Sequence, residues 1–181
     1  MKARILWLFL NAFALWAFPF PGAPLAADEQ PAADKGHLAP LARFVGGQWV
    51  IHGHWSNGEA LTARSVYEWG IANKIIVAKT FVMNGDKEYQ RYEGVFAWHP
   101  KKKSLVQYSF AYNGDLTETV LDLKDKDTIQ VGWTPYSAGQ LGNVRQVLRF
   151  RDDNSFTWTV AVKNGDKWDQ IMEGTWERKE K

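Results

Sequence analysis

Acid–base and metal-binding side chains are sparse in this chain, and their spacing limits what they could do. His52 and His54 stand two residues apart, so on a strand both imidazoles point to the same side. Such a pair could begin a metal site, but a stable one needs a third or fourth ligand, and the stretch from Val50 to Trp55 holds none. His37 and His99, the remaining two of the 4 histidines, complete no ligand pattern, so no bound metal is expected. Glu68, Arg91 and Glu93 offer a different chemistry, a carboxylate acting as general base beside a guanidinium. That reading requires the three to converge on one interior. The spacing of Arg64 with Glu68, Arg91 with Glu93 and Arg145 with Arg149 instead fits cross-strand charges on a solvated outer face. The sequence has no nucleophile triad, phosphate-binding loop, nucleotide fingerprint or zinc spacing.

The elements that must position these residues are strands. Turn signals recur roughly every twelve residues from Ser56-Asn57-Gly58 onward, with Asn84-Gly85, Asn113-Gly114 and Asn164-Gly165 as tight-hairpin dipeptides. Between them the pattern predicts ten strands, at 47–56, 60–69, 74–83, 87–98, 104–112, 115–123, 127–134, 143–151, 155–163 and 168–178. Side chains alternate across a strand, so Trp49, Ile51, Gly53 and Trp55 share the inner face of the first, and Val50, His52 and His54 the outer. Val106, Tyr108 and Phe110 are assigned inward by the same rule, as are Ile129, Val131 and Trp133, and Phe156, Trp158 and Val160. In 74–83, Ile75, Val77 and Phe81 compete with Ile76, Ala78 and Val82 for that face. Short hairpins between amphipathic strands make an antiparallel meander, and closing it satisfies both edges. Before the first strand, Leu38, Leu41, Phe44 and Val45 are spaced for one helical face, and Gly46-Gly47 ends it. The expected fold is therefore all-β, an antiparallel up-and-down barrel of about ten strands with a short N-terminal helix.

The N-terminus is read separately. Met1 to Arg4 is basic, Ile5 to Phe18 is almost unbroken apolar sequence, and Ala26-Ala27 precedes Asp28-Glu29; this is the pattern of an export signal over residues 1–27. The apolar run falls short of the ~20 residues a spanning helix needs, so no membrane anchor is expected after cleavage, and the protein is expected to be periplasmic or secreted. Residues 28–36 read as a flexible tail and 37–181 as the barrel domain. Removing Lys2 and Arg4 brings the 22 Lys and Arg level with the 20 Asp and Glu, which leaves no electrostatic case for a nucleic-acid partner. With 0 cysteines no disulfide staples the fold.

Gly47-Gln48-Trp49 resembles the Gly-x-Trp that opens the first strand of lipocalins and related calycin barrels, where a short helix commonly precedes it. The resemblance extends to Arg178, which is similar to the arginine that such barrels carry near the end of the last strand. It implies that Arg178 lies across the Trp49 indole in a cation–π contact of ~0.5–2 kcal/mol. A ten-strand count resembles fatty-acid-binding proteins and nitrobindin-like haem proteins more than eight-stranded lipocalins. Tyr89-Gln90-Arg91-Tyr92-Glu93-Gly94 and Trp98-His99-Pro100 also look like exported bacterial lipocalin-like proteins of uncharacterised function. Two departures matter. Trp176-Glu177-Arg178 does not reproduce the inner Arg-x-Tyr carboxylate site of the fatty-acid binders, and no histidine follows His99 to serve as the proximal haem ligand. A tyrosine could still ligate iron, but no cofactor is expected.

Following the inward faces gives a candidate lining of Trp55, Tyr67, Trp69, Tyr92, Tyr108, Phe110, Trp133, Gln146, Trp158 and Gln170. Diameter grows with strand number, so ten strands favour a cavity. Its aromatic surface with a few amides and phenols suits a small hydrophobic or aromatic ligand, bound without catalysis. Two alternatives stay open: an enzyme acting on an apolar substrate through Glu68 or Glu93, and a filled-core interaction module using the Thr134–Asn143 loop.

Overall fold

The computed structural model describes residues 36–133 and 143–180, except the side chains of Asn84 and Trp133. The expected export signal, the expected tail before Gly36 and the 134–142 stretch lie outside the described residues.

Ten antiparallel strands form a closed barrel in the order β1-β10-β9-β8-β7-β6-β5-β4-β3-β2. They are β1 (Gln48–Trp55), β2 (Ala60–Gly70), β3 (Ile75–Asn84), β4 (Lys87–His99), β5 (Ser104–Ala111), β6 (Leu116–Leu123), β7 (Thr128–Trp133), β8 (Val144–Phe150), β9 (Ser155–Asn164) and β10 (Lys167–Lys179). Each begins and ends within one residue of the segment expected from alternation and turn signals. Closure joins the first strand to the last, with Trp49 opposite Arg178 and Gly53 opposite Gly174. At that second pair a Cβ on Gly53 would lie 2.5 Å from the Glu173 carbonyl oxygen and 2.9 Å from the Gly174 Cα, so only glycine lets the closing strands approach so closely.

The N-terminal helix is a correction. Gly36–Phe44 is a 3-10 helix, not an α-helix. Its buried residues are Leu38, Leu41 and Phe44, three apart, and side chains at that spacing line up in a 3-10 helix, whereas an α-helix would rotate them around its face. Pro40 inside it also removes a donor. In β3 the contest for the inner face goes to Ile76 and Ala78, both buried.

Two bulges break the alternation. On β4, Thr80 pairs with Tyr92 and Phe81 with Gln90, which leaves Arg91 as the extra residue. On β10, Gln170 pairs with Ala161 and Met172 with Val160, which leaves Ile171 extra. A bulge reverses the side-chain parity on one side of it, and both do so at the same end of the barrel, opposite the 3-10 helix.

Candidate functional site

The helical end of the barrel is sealed. Phe44 packs with its ring 5.0 Å from those of Tyr67 and Phe150 and 5.5 Å from that of Phe156. Trp49 is fully buried and donates its Nε1 proton to the Phe44 carbonyl at 2.8 Å. Arg178 lies over that indole, 4.6 Å from the ring centre, and donates to the carbonyls of Val45, Gly46, Arg43 and Asp153. Arg43 closes the rim, over the Phe150 ring at 4.0 Å and paired with Asp127 at 3.0 Å and Asp153 at 2.9 Å. The indole–arginine contact that the resemblance implies is therefore present, and it belongs to the floor.

Above that floor a cavity of about 500 Å3 runs to the open end. One wall, from β7 to β10, is apolar: Ile129, Val131, Leu148, Phe156, Trp158 and Trp176 line it. Trp158 lies 5.9 Å from Trp176, and its Nε1 donates to Gln146 Oε1 at 2.9 Å. The facing wall, from β2 to β6, carries Ser65, Thr80, Gln107, Ser109, Thr117 and Thr119. Ser65 and Thr80 share a hydrogen bond of 2.8 Å. Burial pushes the Tyr67 phenol up to about 12, against a smaller lowering by its hydrogen bond with Ser65. At the mouth stand Trp55, Arg91, Tyr92, Asn113 and Asp115. Such a chamber can hold a ligand with one apolar flank and one hydrogen-bonding flank.

Of the expected lining residues, Trp55, Tyr67, Tyr92, Gln146 and Trp158 come together around this cavity. Trp69 points inward but packs against the core at the sealed end. The backbone of Trp133 pairs with that of Val144 at the end of β7, and its side chain lies outside the described residues. Tyr108 and Phe110 are on the outer face, Phe110 being 48% exposed, because Gln107, Ser109 and Ala111 take the inner one. Apolarity misleads there: β5 turns its small polar residues inward. Gln170 is likewise outside and donates to Glu173 at 2.7 Å, since the bulge at Ile171 reverses the parity beyond it. Conversely Arg91, expected outside, lines the mouth because it is itself a bulge residue. Sequence alternation gave no sign of the hydroxyl wall, although Thr117 and Thr119 stand two apart.

The catalytic alternative finds no convergence. Glu68 and Glu93 fall on the outer face, where Gln90 donates to Glu93 at 3.0 Å, so neither joins Arg91 in an interior. Among the described residues no group of three His, Cys, Asp or Glu is placed to hold a metal. His54 instead approaches Glu173 at 3.4 Å, His37 stacks on Trp98 at 3.8 Å, and His99 accepts the Lys102 amide proton.

No family model and no curated protein matches the sequence. Among solved structures the chain is similar to Rv2717c from M. tuberculosis, with a TM-score of 0.54 at 7% identity over 79% of this chain and 97% of that one. Lower scores relate it to the S-type phycobiliprotein lyase CPES of Guillardia theta, with a TM-score of 0.45 at 8% identity over 78% and 91% of the two chains. The redesigned β barrel mFAP1, solved with DFHBI, gives 0.36 at 15% identity over 77% and 100%. The first likeness supports a lipocalin-like barrel fold and leaves ligand and activity open.

Proposed function

We propose that the chain is a calycin-like carrier, kin to exported bacterial proteins of that fold, which holds one small hydrophobic or aromatic molecule in its barrel and catalyses no reaction on it. The observation that carries this reading is the cavity of about 500 Å3. Protein interiors are packed to crystal-like density, and a barrel built only for stability would fill this space with side chains. The space instead lies between Trp158 and Trp176 on one side and Ser65, Gln107 and Thr119 on the other, a pairing that stacks a ligand and orients it. The outward placement of Glu68 and Glu93 supports a non-catalytic role. Residues 1–27 direct the carrier out of the cytoplasm.

A native mass spectrum of the protein purified gently from its own host tests this. The expected result is the folded chain with an adduct of a few hundred daltons, the size class such pockets take. A bare polypeptide mass, together with no uptake of any apolar dye added in excess, would overturn the carrier reading.

A further inference from the structure

Arg91 is the residue the carrier reading does not by itself explain. Among the described lining residues it is the only cation, and it stands there as the extra residue of the β4 bulge. Bulges cost ladder hydrogen bonds and re-aim side chains, so one that turns an arginine toward a cavity mouth points to a task for that arginine. No carboxylate among the described residues is paired with it. Three other arginines are by contrast committed: Arg43 to Asp127 and Asp153, Arg64 to Glu88, and Arg178 to backbone carbonyls.

Its surroundings hold the side chain in place. The guanidinium carbon lies 4.2 Å from the Tyr112 ring centre and 5.6 Å from that of Tyr92. The Tyr112 amide donates to the Arg91 carbonyl at 2.9 Å, which ties the neighbouring hairpin to the bulge. A guanidinium stacked on a ring face keeps its N–H donors in its own plane, where those not engaged by the Tyr92 and Tyr112 hydroxyls can meet a pair of coplanar oxygens. Burial works against its charge, and the Tyr92 and Tyr112 phenols more than offset that, so the group remains a cation at any physiological pH.

We infer that the cargo is a monoanionic amphiphile, its carboxylate held by Arg91 at the barrel mouth and its apolar body lying along the Trp158 wall. The inference rests on the carrier reading above and names the ligand class of that same cavity. A single negative charge is specified because Asp115 also lines the mouth, where Asn113 donates to it at 2.8 Å; a dianionic phosphate monoester would be repelled there. From Val162 at the mouth to Phe156 near the floor β9 runs ~20 Å, or ~15 Å of depth after strand tilt. That accommodates an acyl chain or fused rings below a carboxylate.

The test compares cis-parinaric acid with its methyl ester, which have the same polyene and differ in charge, by titration read through polyene fluorescence and energy transfer from tryptophan. The proteins are the wild type, Arg91→Gln, Arg91→Lys and Arg64→Gln, the last removing an equal charge from the outer face. A charge-assisted pair predicts the acid to bind the wild type and Arg64→Gln roughly ten- to a hundredfold more tightly than the ester. Arg91→Gln should erase that gap by weakening the acid alone, and Arg91→Lys should keep part of it, since lysine supplies charge without the planar fork. An unchanged gap in Arg91→Gln, or no gap in the wild type, would overturn the carboxylate inference while leaving the carrier reading intact. Absence of energy transfer with either probe would overturn both. Thermal midpoints of the variants within a few degrees of wild type guard against misfolding as the cause.

Discussion

Arg178 faces Trp49 twice over: the two are backbone partners across the seam where β10 meets β1, and the guanidinium lies 4.6 Å from the indole ring. The same side chain serves four carbonyls around the 3-10 helix, so it couples barrel closure to the sealing of the floor. Arg178→Ala should lose about 2–4 kcal/mol of stability, the combined scale of a cation–π contact and partly buried charge-assisted hydrogen bonds. Arg178→Lys should recover less than half of it, because a point charge cannot span those acceptors. Urea unfolding measures both. Equal midpoints for the wild type and the alanine variant would show that the seam does not depend on this residue.

The seam has a second requirement four residues further along β1. A Cβ at Gly53 would meet backbone atoms of Glu173 and Gly174 at 2.5 and 2.9 Å, and backbone cannot rotate away as a side chain can. Gly53→Ala is expected to cost about 1–3 kcal/mol by overpacking. Alanine at Gly174 would meet the Ile51 side chain at 2.7 Å, which can shift, and backbone only at the Gly53 Cα at 2.9 Å, without the 2.5 Å carbonyl contact found at Gly53. The measured loss of thermal midpoint should therefore be larger at Gly53. The reverse order would place the strain elsewhere.

Strand positions were legible in the sequence because each is bounded by turn residues and carries a period of two, and a ten-strand meander has few ways to avoid closing. Trp49 and Arg178 were legible through the family resemblance. The inner face was legible only where alternation is unbroken and apolar residues are the inward ones, as at Ile129, Val131, Phe156 and Trp158. It failed on β5, where Ser109 and Gln107 face a cavity rather than a dry core, so hydrophobicity no longer marks the inside. It failed again at Arg91 and Gln170, since a bulge is a property of two strands together and neither strand announces it alone. Both failures lie in the open half of the barrel, where the interior is a cavity and not a packed core.

Tyr67 predicts an alkaline dependence. Burial pushes its phenol up to about 12, while in the unfolded chain it titrates near 10. Its contribution is fully present below pH 10 and is lost as pH rises toward 12, because the unfolded chain releases the proton first and is favoured by doing so. Two pKa units correspond to about 2–3 kcal/mol. Tyr67→Phe lacks this term, and the other tyrosines and lysines titrate in both proteins and cancel in the difference. The stability of wild type should fall relative to Tyr67→Phe between pH 10 and 12, measured by urea midpoint. A constant difference across that range would mean that the phenol ionises as it does in water.

Trp158 tests where a ligand lies. Its ring forms the apolar wall and its Nε1 proton is held by Gln146 at 2.9 Å, so the indole is fixed in orientation before any ligand arrives. Preorganised aromatic surface contributes to affinity without the ordering cost of a mobile side chain. Trp158→Phe keeps an apolar ring but loses the tether and the energy-transfer donor. Binding of parinaric methyl ester should weaken by roughly three- to tenfold, on the scale of one aromatic contact of about 0.5–1.5 kcal/mol, and transfer from the remaining tryptophans should fall at saturation. Gln146→Ala, which frees the ring but keeps the donor, should weaken binding less and leave transfer efficiency near that of wild type. If both variants bound the ester as tightly as wild type with undiminished transfer, the ligand would lie against the hydroxyl wall instead, and the apolar wall would be packing alone.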